Sequence, residues 1–177
     1  MKNALLLSGA PRCGKTTLLQ TVLVQYPGPA GGFFTREVCR SGQRIAFEMV
    51  TLDGVQAILA GVHLSGPPRM GKYGVDLHAL ETVAVPAIRA AAQAGQLVVI
   101  DEIGPMETGS PLFCQTVLEV LAAGCLLFGT IVQRSTPFSD DIKQLSGVEL
   151  ISVTPDNRGR LLQELPGKLQ KMAAGEL

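Results

Sequence analysis

One short segment limits what this chain can fold into more than any other: Gly9-Ala-Pro-Arg-Cys-Gly14-Lys15-Thr16, which matches the phosphate-loop pattern GxxxxGK[ST]. It follows a strand-length apolar run, Ala4 to Ser8, and opens a helical pattern from Lys15 to Gln25. That context gives the match its physical meaning, and residue frequencies alone would produce the four fixed positions in under about one chain in a hundred of this length. Glycine is needed where backbone N–H groups close around phosphate oxygens without a Cβ in the way, and the helix N-terminus adds favourable partial charge. The expected phosphate cradle therefore comprises Gly9, Ala10, Pro11, Arg12, Cys13, Gly14, Lys15, Thr16 and Thr17. Lys15 reaches the β- and γ-oxygens, and the Thr16 hydroxyl ligates Mg²⁺. The competing reading is a glycine turn that only caps a helix.

Other apolar runs of strand length are Leu97 to Asp101, Cys125 to Ile131 and Val148 to Val153, and they read as strands buried on both faces. Helical patterns separate them: Asp76 to Ala94 closed by Gly95, Ser110 to Ala123 closed by Gly124, and Thr154 onward. Asp76, Ser110 and Thr154 fit N-caps, and Pro111 and Pro155 stand where a missing N–H costs nothing. Pro86 should kink its helix, and Pro166-Gly167 should break the last one in two. This alternation predicts an α/β fold with a mostly parallel sheet flanked by helices. Phe33 to Cys39 and Arg44 to Leu52 flank the turn signal Ser41-Gly42 and read as an inserted antiparallel β-hairpin. Gly61 to Asp76, rich in Gly and Pro, reads as a lid or binding loop.

The 177 residues form one expected domain, 1–177, with 46% hydrophobic residues to fill its core. Fifteen basic side chains balance fifteen acidic ones, and the sequence pI is near 6.7. That balance gives no electrostatic argument for nucleic acid or an anionic membrane, so the expected partner is a small ligand. Only 17% of residues are charged, which leaves a covered surface possible, although a monomer is favoured. Cys13, Cys39, Cys114 and Cys125 include no CxxC pair, and His63 and His78 have no partner at metal spacing. No run is long and apolar enough for a membrane span, and the expectation is a soluble cytoplasmic protein with reduced thiols.

Leu97-Val-Val-Ile-Asp101-Glu102 ends an apolar strand in two carboxylates. Beside a phosphate loop, Asp101 becomes the expected Mg²⁺ partner, and Glu102 is placed to polarise an attacking water as general base. A surface acid at a strand end is the alternative for Glu102. The strand from Cys125 to Ile131 should lie between the phosphate-loop strand and the Asp101 strand, bringing Thr130, Gln133 and Arg134 near a γ-phosphate. The core order follows as 5-1-4-3-2.

Gly32-Phe-Phe-Thr-Arg-Glu-Val38, Gly71-Lys-Tyr-Gly-Val-Asp76, Asp101-Glu-Ile-Gly-Pro-Met-Glu107 and Thr154-Pro-Asp-Asn-Arg158 add a more specific pattern. In order and spacing they resemble the cancer-related nucleoside-triphosphatase family, which is also known from thermophiles. The similarity runs from Leu5 to about Leu165. It implies a RecA-like P-loop NTPase fold with a β-hairpin insertion, and slow, Mg²⁺-dependent, base-tolerant hydrolysis of ATP, GTP and other nucleoside triphosphates. It also implies a catalytic Arg36 and a phosphate-binding Lys72, whose alternatives are a sheet-edge salt bridge and a solvated loop charge. Glu107 is expected either to orient water or Mg²⁺ or to be a first-turn helix acid. Arg12 departs from the family, standing where glycine is more common, and Cys39 and Ala46 stand where Arg and Gly are expected. A kinase passing the γ-phosphate to a small molecule, and a nucleotide-dependent switch binding a protein partner, are the competing functions.

Overall fold

A computed structural model of the chain describes residues 2–176. One nine-stranded sheet runs through it, made of β1 (Ala4–Ser8), β2 (Ala30–Arg40), β3 (Gln43–Thr51), β4 (Gln56–Gly61), β5 (Arg69–Met70), β6 (Tyr73–Val75), β7 (Leu97–Ile103), β8 (Leu127–Ile131) and β9 (Val148–Ser152). Their order is β5-β6-β4-β3-β2-β7-β8-β1-β9. The pairs β2/β7, β7/β8, β8/β1 and β1/β9 are parallel. The expected core order 5-1-4-3-2 is thus present as β9-β1-β8-β7-β2.

Helices cover both faces: α1 (Lys15–Val24), α2 (Leu77–Ala79), α3 (Val85–Gln93), α4 (Pro111–Ala122), α5 (Pro137–Gln144) and α6 (Arg158–Ala173). In β1, Ala4 and Leu6 face the cluster built with α3 and α4, whereas Leu5 and Leu7 face the one built with α1 and α6. Alternation along a strand buried on both sides accounts for its uninterrupted apolar run. Among the described residues, no helix is long and apolar enough to cross a membrane.

The insertion is larger than the expected hairpin. Ser41 (φ 51°) and Gly42 (φ 76°) make the predicted tight turn, both in the left-handed region that a two-residue hairpin turn requires. β4, β6 and β5 then continue the antiparallel pairing. The Gly- and Pro-rich segment read as a lid is therefore partly strand, pinned to β4 at its edge.

Three helix expectations need correction. Thr154 does not begin the last helix: its Oγ1 accepts from Asn157 N at 3.2 Å while Asn157 Oδ1 accepts from Thr154 N at 2.9 Å, closing a reciprocal turn before α6 starts at Arg158. Pro166 does not break α6, which is continuous through it. An interior proline costs about 3 kcal/mol, but Leu161, Leu165 and Leu169 on the same helix are buried, each contributing roughly 1.5–3 kcal/mol, so packing prevails. Ahead of Pro86 the expected single helix changes type: Leu80–Ala84 is a π-helical stretch between α2 and α3. Helix α5 was not anticipated, although Thr136 with Ser139 forms a capping box and Pro137 stands at its first position.

Candidate functional site

The loop after β1 turns through two left-handed residues, Arg12 (φ 64°) and Gly14 (φ 95°), before α1 begins. Glycine adopts this conformation freely, whereas Arg12 does so at a cost of about 1–2 kcal/mol. Cys13 is buried among Leu5, Leu7 and Leu18, so its thiol points into the core rather than to a ligand. Lys15 Nζ donates to the carbonyls of Gly9 (3.0 Å) and Ala10 (3.3 Å), folding back over the loop.

Asp101 ends the regular part of β7. The β7/β8 register shifts between Ile100 and Ile103, so Asp101 and Glu102 fall outside the ladder. Asp101 is fully buried; its Oδ1 accepts from Thr130 Oγ1 at 2.6 Å and its Oδ2 from Thr35 N at 3.4 Å. Burial pushes its carboxyl above the ordinary range, opposed by the hydroxyls of Thr130 and Thr16, the Thr35 amide and the Lys15 charge. The Thr16 hydroxyl thus lies within reach of the Asp101 carboxyl.

Glu102 is half-buried and stands where two cavities meet. One, about 580 Å³, is bounded by Arg12, Thr16, Thr17, Thr35, Arg36 and Phe47. The other, about 360 Å³, is bounded by Gly9, Val132, Gln133 and Arg134. Pro11, Lys15 and Glu102 line both. Burial raises the Glu102 carboxyl, the Lys15 charge lowers it and the Asp101 charge raises it. Gln133 and Arg134, just past the end of β8, line the smaller cavity with Lys15 and Glu102, whereas Thr130 is buried within β8 and reaches Asp101 instead.

Arg36 lines the larger cavity and is also a sheet-edge ion pair: its Nε is 2.5 Å from Glu48 Oε2, and its Nη2 donates to Gln56 Oε1 at 3.3 Å. Lys72 is not brought to this place. Its Nζ lies 5.3 Å from the Tyr73 ring centroid in the β5–β6 turn, and it lines neither cavity. A further cation that lines the larger cavity is Arg44, which the sequence reading missed. Its guanidinium lies 4.5 Å from the Phe47 ring centroid, pairs with Glu37 and donates through Nε to Tyr73 Oη at 3.0 Å. The Tyr73 hydrogen bond is the main cause that raises its pKa. The hairpin register sets Arg44 opposite Cys39, a pairing that no local sequence signal gives.

Glu107 is buried in a 3₁₀ turn, Glu107–Gly109. A methyl built on Gly104 would stand 3.0 Å from Glu102 Oε1 and 3.1 Å from Glu107 Oε2, so both carboxyls close on that glycine. Desolvation, with the Glu102 and Asp101 charges adding to it, pushes Glu107 up to about 8 against two opposing backbone hydrogen bonds. A folded pKa above the unfolded one gives stability that is complete below the ordinary carboxylate range and is lost as pH rises through about 8. Glu107→Gln, which keeps shape without charge, should therefore melt above the wild type at pH 8 and beyond, by a few kcal/mol in stability, and show a flatter dependence on pH. Thermal melts from pH 5 to 9 test this; parallel curves for the two proteins contradict it.

Comparison with known proteins agrees with this geometry. A family model described as NTPase matches residues 4–166. The chain is 39% identical over 161 residues to nucleoside-triphosphatase THEP1 of Thermotoga petrophila, covering 91% of this chain and 89% of that protein. It is 40% identical over 181 residues to the cancer-related nucleoside-triphosphatase of Homo sapiens, covering 93% and 95%. The crystal structure of THEP1 from the hyperthermophile Aquifex aeolicus matches with a TM-score of 0.85 at 30% identity, over 96% of this chain and 99% of that one.

Proposed function

The chain belongs to the NTPase family, and from that premise we propose that it hydrolyses ATP, GTP and other nucleoside triphosphates to diphosphate and phosphate, slowly, with Mg²⁺ and with little regard for the base. The observation that carries the reading is the convergence of Lys15 and Glu102 where the two cavities meet, with the loop on one side and the ends of β7 and β8 on the other.

The donor set fits Mg²⁺. Thr16 and Asp101 are hard oxygen ligands close enough for the hydroxyl to act on the carboxylate. An Mg²⁺ ion held by Thr16 and Asp101 would supply positive charge to the bound phosphates. Gly9 to Thr17 enclose the phosphates, and Lys15 exchanges its two loop carbonyls for phosphate oxygens. Glu102 accepts the proton of a water whose oxygen attacks the γ-phosphorus, and the bond to the β-phosphate oxygen breaks. Burial of Glu102 favours this task by raising its basicity towards neutral pH. Arg36, released from Glu48, supplies positive charge to the oxygens of the γ-phosphoryl group as water attacks it.

Phosphate release from ATP, GTP, CTP and UTP, with Mg²⁺ or EDTA and with or without small hydroxyl acceptors, tests the reading. The expected outcome is release from all four within about tenfold, abolished by EDTA and restored by Mg²⁺, with no phosphorylated acceptor; bases differ only in groups remote from the reacting phosphate. Transfer of the phosphate to an acceptor makes the protein a kinase, and full activity in EDTA removes the metal from the scheme.

A further inference from the structure

Arg158 is exposed and, among the described residues, its side chain makes no hydrogen bond or ion pair. The backbone that carries it is nevertheless fixed. The turn before it is locked by the reciprocal bonds of Thr154 and Asn157, by Asn157 Nδ2 donating to Ser152 O at 2.8 Å, and by Arg158 N donating to Thr154 O at 3.2 Å. That turn is fastened to the phosphate loop, because Ser152 pairs with Ser8 and Val153 N donates to Ser8 O at 2.7 Å. From there the side chain lies over the loop: a Cβ on Gly14 would collide with Arg158 Nη1 and stand 3.1 Å from its Cδ and 3.4 Å from its Cζ.

The strand order says which end of a substrate meets this guanidinium. Asp101 and Thr130 lie on β7 and β8, to one side of β1; Arg158 follows β9, on the other. A triphosphate seated on the loop with its terminal phosphate at Asp101 and Glu102 directs its nucleoside towards the β9 side. A planar cation there offers a face on which any base can stack, since every base has a π-face. Hydrogen-bond reading of the base edge has little support beside it: the Asn157 amide, the nearest such group in sequence, already spends its oxygen on Thr154 N and its nitrogen on Ser152 O.

Resting on the nucleoside-triphosphatase reading, we propose that Arg158 is the nucleobase-binding residue, stacking its guanidinium on the base whatever the base is. This accounts for tolerance of different bases by a contact rather than by the lack of one.

Calorimetric titration of ATP, GTP and inorganic tripolyphosphate into the wild type, Arg158→Ala and Arg158→Lys tests it, with melting curves to confirm the fold. Arg158→Ala should bind ATP and GTP about tenfold more weakly, as expected for one lost stacking contact, and tripolyphosphate as tightly as the wild type. Arg158→Lys, which keeps the charge but loses the plane, should behave like Arg158→Ala. Equal losses for tripolyphosphate with rescue by Lys would identify a phosphate contact and overturn the proposal, as would unchanged nucleotide affinity in Arg158→Ala. A wild type that binds neither ATP nor tripolyphosphate overturns the phosphate-loop reading, and this proposal with it, so the two failures are distinguishable.

Discussion

Glu102→Gln is expected to lower phosphate release by about 100-fold or more while leaving triphosphate affinity within about twofold, the signature of a lost proton acceptor rather than a lost ligand. Glu102 borders both cavities together with Lys15, and the amide keeps its size. In the proposed scheme Thr16, Asp101 and the loop would still hold Mg²⁺ and the phosphates. Asp101→Asn should behave differently. Its carboxylate is buried, receives Thr130 Oγ1 at 2.6 Å and stands beside Thr16, so the change should weaken metal-dependent binding and rate together. Binding of a non-hydrolysable triphosphate and release from ATP, measured for both variants, separate the two roles. If Glu102→Gln turns over at the wild-type rate, the base lies elsewhere and Glu107, across Gly104, becomes the next candidate.

Lys15→Ala should abolish measurable turnover and weaken triphosphate binding by about 10- to 100-fold, the value of a hydrogen bond to a charged group. Its Nζ is already seated on the carbonyls of Gly9 and Ala10, and its charge acts on both Asp101 and Glu102. Titration of the variant with tripolyphosphate and with ATP should show parallel losses, because the contact is with phosphate alone. Normal affinity with normal turnover would remove the loop from the mechanism.

The parallel half of this fold was legible because each of its strands carries its own signal: an apolar run too short for a helix, bounded by a cap or a glycine. The phosphate loop and the Asp101–Glu102 pair were legible for the same reason, since their residues are contiguous. What the sequence withheld depends on pairing across distance. The β5–β6 hairpin consists of two- and three-residue strands, below the length at which alternation can be seen. Lys72 and Arg44 are both hairpin cations, and only the register of β3 on β2 and of β6 on β4 decides which one faces the cavity. The intact helix across Pro166 likewise reflects packing against α1, invisible to a local rule about proline.

The position of β1 between β8 and β9 also sets the order in which this protein can come into being. Leu5 pairs with Phe128 on one side and Glu149 on the other, so the strand that carries the phosphate loop has no neighbour until well over a hundred further residues have been made. At ribosomal rates that delay is on the order of ten seconds, during which Leu5, Leu6 and Leu7 have no sheet to join. The hairpin wing of β2, β3 and β4, paired between near neighbours in sequence, can form first. The nascent chain therefore assembles its wing early and its nucleotide seat last, and a ribosome stalled before Leu127 leaves a product with the loop motif written in it and no strand pair to hold the loop open.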